Sequence, residues 1–171
     1  KDPYFGSVAS NQLFNLKKLV FPFSEMGLEI NKKMPAENVK LLTKYVKSFN
    51  NKKVLVLGAT YRSEVDDLRN SPTETFIKIL KKKKAKLFVH DPYIAKWKNI
   101  RTFKKLPSPV TFEIIVIAVG HDFYKNLNFV KWLGKNKKII LDSNNIFSNK
   151  TRNILCSTGN VVITPGRGDN N

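Results

Sequence analysis

The sequence predicts an α/β domain built on a doubly wound, mainly parallel sheet, entered through a helical arm. Three observations point there. Short apolar runs rich in β-branched residues recur at Val54–Leu57, Leu87–His90, Ile114–Val119, Ile139–Leu141 and Val161–Ile163. Such near-continuous hydrophobicity suits strands buried on both faces. Stretches with helical spacing of apolar residues lie between them. The runs also end in polar groups: Gly58-Ala59-Thr60, His90-Asp91-Pro92, Gly120-His121-Asp122 and Asp142-Ser143-Asn144-Asn145. Open α/β sheets carry their binding crevice beyond the carboxyl ends of the strands.

Taken in order, residues 1–22 read as irregular, punctuated by Pro3 and Pro22. A helix is expected from Phe23 to Lys33, broken or kinked by Pro35. A second is expected from Ala36 to Phe49, where Val39, Leu42, Tyr45, Val46 and Phe49 recur at helical spacing and Asn50-Asn51 closes the segment. After the first strand and a long loop, Phe76, Ile77, Ile79 and Leu80 form the inner face of a helix from Pro72 to about Lys83. Its start is well specified: Ser71 caps, Pro72 takes the first position, and Glu74 completes a capping box. Its end carries Lys81–Lys84, cations that suit the helix dipole, with Lys84 where glycine is common. Between 93 and 112, Trp97, Ile100 and Phe103 suggest a short helix before an edge strand. A further helix is expected near 123–135 from Leu127, Val130, Trp132 and Leu133.

A length of 171 residues suits one domain plus an appendage, and a hydrophobic content of 42% supports a real core. No run of 18 apolar residues occurs, so no membrane span is expected. The first residues lack the apolar segment of a signal peptide, and the single cysteine, Cys156, fits a reducing compartment; the expectation is a cytoplasmic protein. The first residue is not Met, which fits part of a longer polypeptide. Cys156 reads as a small buried hydrophobe. The net charge of +18 raises the local concentration of any polyanion, whether nucleic acid, anionic membrane or a phosphorylated metabolite. The lysines are spread through the chain, which favours a generally basic surface over a dedicated nucleic-acid face.

The loop after the first strand lacks G-x-G-x-x-G, so the pyrophosphate cradle of a dinucleotide site is absent; a mononucleotide or the diphosphate of a nucleotide sugar remains open. Asp66, Asp67 and Arg69 read as an ion-paired loop that sets the helix entry. They are too far from the strand end for a receiver-type acidic cluster. No His/Cys/Asp group has metal-ligand spacing, so no metal is expected. His90 and His121, at strand ends, read as structural hydrogen-bonding residues.

The order Gly58, Tyr61, a cation, Asp66-Asp67, Arg69, Ser71-Pro72 resembles the C-terminal domain of the UDP-glucose/GDP-mannose dehydrogenase family, with Arg62 in place of the family lysine. Further segments resemble the family in the same order. Lys1-Asp2-Pro3-Tyr4-Phe5 is similar to the residues that follow its nucleophilic cysteine, and Glu29-Ile30-Asn31 with Met34-Pro35 to the end of its central helix. Val89–Tyr93, Ile117–His121 with Phe123, and Leu141–Asn145 resemble its strand ends.

The resemblance implies an NAD-dependent oxidation of the C6 alcohol of a UDP-sugar to a carboxylate, with NAD held by an N-terminal domain absent from this chain. In the family, hydride passes to NAD, a thiolate captures the aldehyde, and a second hydride transfer gives a thioester that water hydrolyses. On that reading residues 1–50 hold the end of the catalytic loop and a helical arm that pairs two subunits into a homodimer. Residues 51–171 bind the UDP-sugar, and the chain alone does not turn over. Asp2 matches the acid that helps activate water, and Lys1 the adjoining lysine. Arg62 would bind phosphate as a planar fork where the family has a compact ammonium. Tyr61 would pack beside the ligand. Asn144 stands where the family commonly has an arginine, losing the charge and the bidentate fork. The Asn-x-x-Met-Pro pattern at 31–35 resembles enzymes acting on UDP-N-acetyl-hexosamines more than on UDP-glucose. The alternative is a non-enzymatic module of the same fold whose basic surface holds nucleic acid.

Overall fold

The computed structural model describes residues 2–15 and 21–168. Two helices come first, α1 (Asp2–Phe14) and α2 (Pro22–Thr43). Residues 1–22 were expected to be irregular, and α1 corrects that. Pro3 and Pro22 punctuate helix starts instead: a first-turn proline gives up an N–H that has no intrahelical partner anyway. Nor does Pro35 divide the arm, because α2 runs continuously through it with Pro35 buried. The helix stops at Thr43, short of the expected Phe49. The chain turns there, with Tyr45 and Val46 both donating N–H bonds to the Leu42 carbonyl at 3.0 Å. Val46 and Phe49 are nonetheless buried, so the apolar spacing reports core contact beyond the helix end.

The sheet follows: β1 (Lys53–Leu57), α3 (Pro72–Lys82), β2 (Lys86–His90), β3 (Arg101–Phe103), β4 (Ile114–Ile117), α4 (Asp122–Lys125), α5 (Phe129–Leu133), β5 (Ile139–Asp142), α6 (Asn149–Ser157) and β6 (Val161–Ile163). All pairs are parallel, in the order β3-β2-β1-β4-β5-β6. The chain reverses its direction of travel between β1 and β4, which makes their carboxyl ends the topological switch point. Alternate residues feed two cores. Val54 and Val56 of β1 join Leu42, Phe76, Leu80 and Trp97 on one face, while Leu55 and Leu57 join Tyr124, Phe129, Leu133 and Leu155 on the other. Each fully buried aliphatic side chain contributes about 1.5–3 kcal/mol, so the six parallel strands and their two covered faces dominate the stability.

Local chemistry accounts for the remaining departures. The expected helix near 123–135 is two short ones, because Asn128 accepts the Lys131 N–H at 3.0 Å and starts a new helix there. The short helix expected around Trp97 is absent. Trp97 and Ile100 instead form an antiparallel bridge around Lys98, whose φ is +47°, and β3 supplies the edge strand. Helix α6 was not foreseen; its buried face holds only Arg152 and Leu155. Cys156 lies on it and is exposed, against the expectation of a buried thiol.

Helix α3 begins at Ser71, whose Oγ accepts the Thr73 N–H at 3.2 Å. The second half of the capping box does not form, since Glu74 pairs with Lys78 and Lys98 and the Ser71 N–H goes to the Leu68 carbonyl. At its other end Lys84 takes a φ of +61°, and Ala85 N–H reaches the Leu80 carbonyl at 3.1 Å, a Schellman closure made without glycine.

Candidate functional site at the strand ends

The loops leaving β1, β2 and β4 converge at the switch point. Gly58 makes their close approach possible. Its φ is +93°, and a Cβ there would lie 2.5 Å from the Val119 Cβ and 2.8 Å from the Val119 nitrogen. Its N–H bonds to the His90 carbonyl at 2.9 Å. The next two residues, Ala59 and Thr60, are fully buried.

A polar network ties the three loops together. Asp91 is buried beneath them; its Oδ2 accepts the Ala59 N–H at 2.7 Å and lies 3.2 Å from His121 Nε2, and its Oδ1 accepts the Tyr93 N–H at 2.8 Å. Burial pushes the Asp91 carboxyl up, but the His121 contact and the two backbone donors outweigh it and hold it below the usual carboxylate range. His121 Nδ1 accepts the Glu64 N–H at 3.1 Å. The ring proton of the neutral imidazole therefore sits on Nε2, shared between Asp91 and Thr60 Oγ1, also at 3.2 Å. The Thr60 hydroxyl donates onward to the Arg62 carbonyl at 2.8 Å.

Glu64 is the outer clasp of this network. It has a φ of +59°. Its Oε1 accepts the Asp122 N–H at 2.8 Å and its Oε2 accepts the Tyr93 hydroxyl. Those bonds lower the Glu64 carboxyl, Tyr93 first and Asp122 second, while the same Glu64 contact raises the Tyr93 phenol. Beside this cluster, His90 Nδ1 faces the Tyr124 hydroxyl at 3.0 Å, which itself donates to the His90 carbonyl at 2.7 Å. Burial lowers His90 and, for the opposite charge sign, raises Tyr124.

The expected site residues fall around this frame unevenly. Tyr61 and Arg62 are exposed on the loop after β1, and Arg62 makes no side-chain hydrogen bond or ion pair among the described residues. The loop carrying them is pinned at both ends: Tyr61 N–H bonds to the Asp67 carbonyl at 2.8 Å, and Ser71 Oγ donates to the Thr60 carbonyl at 3.2 Å. Asp67 and Arg69 form a bidentate pair, 2.9 and 2.7 Å, and Asp67 also accepts the Arg69 N–H. Asp66 is exposed beside them. Asn144 lies on the loop after β5, its Nδ2 donating to the Ile117 carbonyl at 3.0 Å. Asp142 organises that loop, accepting N–H groups of Asn144, Ile146 and Phe147 at 3.1–3.3 Å; its burial nevertheless raises its carboxyl. Asp2 opens α1, with its side chain outside what is described, and Lys1 lies outside the described residues altogether.

Sequence reasoning missed Glu64, and gave His121 and Tyr93 no shared task. The only signal was that His121 and Asp91 stand at neighbouring strand ends. A separate hollow of about 500 Å3, lined by Val110, Glu113, Lys137, Gly159 and Val161 among others, lies at the amino ends of β4, β5 and β6. That is the edge of a parallel sheet away from the switch point, so the strand-end loops are the better candidate site. Among the described residues no group of three or more His, Cys, Asp or Glu gathers as a metal set, and no helix is long and apolar enough to cross a membrane.

The chain is similar to UDP-N-acetyl-D-mannosamine dehydrogenase of Pyrococcus horikoshii, 31% identical over 176 residues, which covers 99% of this chain and 38% of that protein. The enzyme of the same name from Methanocaldococcus jannaschii is 33% identical over 147 residues, covering 83% of this chain and 33% of its own length. Among solved structures, NDP-N-acetyl-D-galactosaminuronic acid dehydrogenase from Methanosarcina mazei superposes with a TM-score of 0.80 at 26% identity, over 98% of this chain and 37% of that one. The chain thus spans under two-fifths of the length of these relatives. Residues 55–149, from within β1 to the start of α6, match the family model described as the UDP binding domain of the UDP-glucose/GDP-mannose dehydrogenase family. The parallel sheet, the similarity to these dehydrogenases and this match together establish that the chain belongs to the UDP-glucose/GDP-mannose dehydrogenase family and carries its UDP binding domain.

Proposed function

We propose that this chain is the nucleotide-binding part of an NAD-dependent UDP-sugar 6-dehydrogenase, and that it holds the UDP moiety at the carboxyl ends of β1, β4 and β5. The observation that carries this reading is Arg62: an exposed guanidinium, unpaired among the described residues, on a loop that Thr60 and Glu64 fasten to the loops leaving β2 and β4. A pre-positioned, uncompensated cation at a switch point suits a diphosphate. Tyr61, 53% exposed, offers a ring beside it. Asn144 offers an amide from the loop after β5, already partly used by the Ile117 carbonyl. Asp67 and Arg69 neutralise one another and so shape the loop; Asp66 is proposed to stay with them in that structural role.

The loop after β1 does not fit a dinucleotide. It lacks the G-x-G-x-x-G pattern whose tight turn brings a helix N-terminus against the pyrophosphate of a dinucleotide. NAD is therefore assigned to a part of the enzyme outside this chain, and no chemical step is routed through these residues. Asp2 is proposed as the general base for the hydrolytic step, with Lys1 beside it. The sugar is proposed to be an N-acetyl-hexosamine, in keeping with the Asn-x-x-Met-Pro pattern and with the names of the relatives. Homodimerisation is proposed through the helical arm. Phe23, Met26, Ile30 and Met34 recur on one face of α2 and are 40–86% exposed, an apolar stripe that calls for a partner.

Calorimetric titration with UDP tests the binding reading. Saturable binding is expected, weakened about tenfold or more in Arg62→Ala on loss of one charge-assisted contact. A single-stranded oligonucleotide titrated across a salt series tests the nucleic-acid alternative, whose affinity would fall steeply with salt as counterions are released. No UDP binding, with steeply salt-dependent oligonucleotide binding, would overturn the proposal.

A further inference from the structure

We propose that Glu64 is the positioning residue of the nucleotide site, holding the Arg62 loop in its ligand-ready form; the inference rests on the UDP-binding reading. The argument starts from the backbone. A left-handed φ disfavours any residue with a Cβ, and glycine or asparagine is the cheaper choice there. Glutamate occupies the position at +59°. An exposed glutamate is ordinarily solvated and interchangeable. This one makes three bonds to two other strand-end loops: its N–H to His121 Nδ1 at 3.1 Å, its Oε1 to the Asp122 N–H at 2.8 Å, and its Oε2 to the Tyr93 hydroxyl.

Those loops are themselves anchored to buried groups. Tyr93 N–H is held by buried Asp91, and the His121 ring has no exposed surface, locked between Asp91 and Thr60. The clasp thus joins the long loop after β1 to two anchored points, and Arg62 lies two residues before it. Thr60, on the other side of Arg62, is fixed by the same His121 ring. The backbone that carries the cation is therefore held from both flanks by one network, which meets Arg62 at its carbonyl through the Thr60 hydroxyl and leaves the guanidinium free of it. Without the side chain of Glu64, only the Thr60 flank and the single Glu64 N–H bond to His121 remain, and a loop that is competent one-tenth of the time binds about tenfold more weakly.

Three variants of the 171-residue chain separate side chain from backbone. Glu64→Ala loses both carboxylate bonds. Glu64→Gly loses them too but relieves the left-handed backbone. Glu64→Gln keeps an oxygen for the Asp122 N–H and offers its amide to the Tyr93 oxygen. UDP affinity is expected to fall about tenfold in both Glu64→Ala and Glu64→Gly, and to return to within about threefold of wild type in Glu64→Gln. Amide exchange at Tyr61–Asp67 should quicken in the first two and not in the third, with melting curves confirming that all three fold. Should one variant fail to fold, Tyr93→Phe removes the Oε2 bond from the other side and should quicken the same amides. Wild-type binding with unchanged affinity or unchanged exchange in Glu64→Gly overturns the inference alone. Absence of UDP binding in the wild type overturns the functional reading and this inference together.

Discussion

Replacing Gly58 by alanine tests the crossing of the β1 and β4 loops on which the site is built. Two costs add. A left-handed residue with a Cβ loses about 1–2 kcal/mol. The new methyl would also lie 2.5 Å from the Val119 Cβ and 2.8 Å from its backbone nitrogen, and backbone cannot give way as the end of a flexible side chain can. Overpacking of this kind costs about 1–3 kcal/mol, so a total loss of about 2–5 kcal/mol is expected. For a chain of 171 residues that is a fall in melting temperature of about 4–20 °C. Urea unfolding measures it directly, with a shifted midpoint and an unchanged slope. Gly166→Ala is the internal control: its φ is +82°, but a Cβ there meets nothing within 4 Å, so only the conformational cost applies. The difference between the two variants isolates crowding at the loop crossing. Equal destabilisation of Gly58→Ala and Gly166→Ala would refute the reasoning, because the close approach would then carry no energy.

Further outcomes are expected. Arg62→Lys should retain more UDP affinity than Arg62→Ala, because a point charge still attracts a diphosphate while losing the planar fork; equal losses in calorimetry would show that charge at this position is immaterial. His90 is lowered by burial, so its unfolded form takes up a proton first as pH falls below about 6.5. Stability should therefore be greatest above that pH and decline as pH drops from there through the depressed folded value. His90→Asn keeps a donor for the Tyr124 hydroxyl and should flatten that decline in pH-dependent urea melts, and an unchanged slope would count against it. Asp91 and Glu64 are held low, so a second loss should appear as pH falls below the ordinary carboxylate range, and Asp91→Asn should remove its share of it. The Tyr93 phenol is raised by its bond to Glu64, so Glu64→Gln should bring its ultraviolet titration to lower pH; an unmoved titration would mean the bond is absent in solution.

Much of this architecture is written locally. The β-branched runs define five of the six strands, because a strand buried on both faces can hold almost nothing else. Ser71-Pro72 fixes the start of α3 through backbone chemistry that needs no tertiary partner. The ion pair between Asp67 and Arg69, two residues apart, was readable for the same reason. The arm was less legible: a proline marks a break or a helix start according to its neighbours, and Pro35 is tolerated where the rest of α2 continues around it. Helix α6 hid because only two of its residues are buried, leaving too thin a stripe to read as a period.

The sequence by itself determined the class of fold, the polar groups at the carboxyl ends of the strands, and the presence of a cation on the first loop, since each depends on residue type and short-range spacing. Tertiary structure alone decided that Glu64, Tyr93, Asp91 and His121, separated by up to 57 positions, close into one network. The reason is geometric. Strands β1, β2 and β4 are neighbours only through crossovers, so the contacts between their terminal loops leave no periodic trace in the chain.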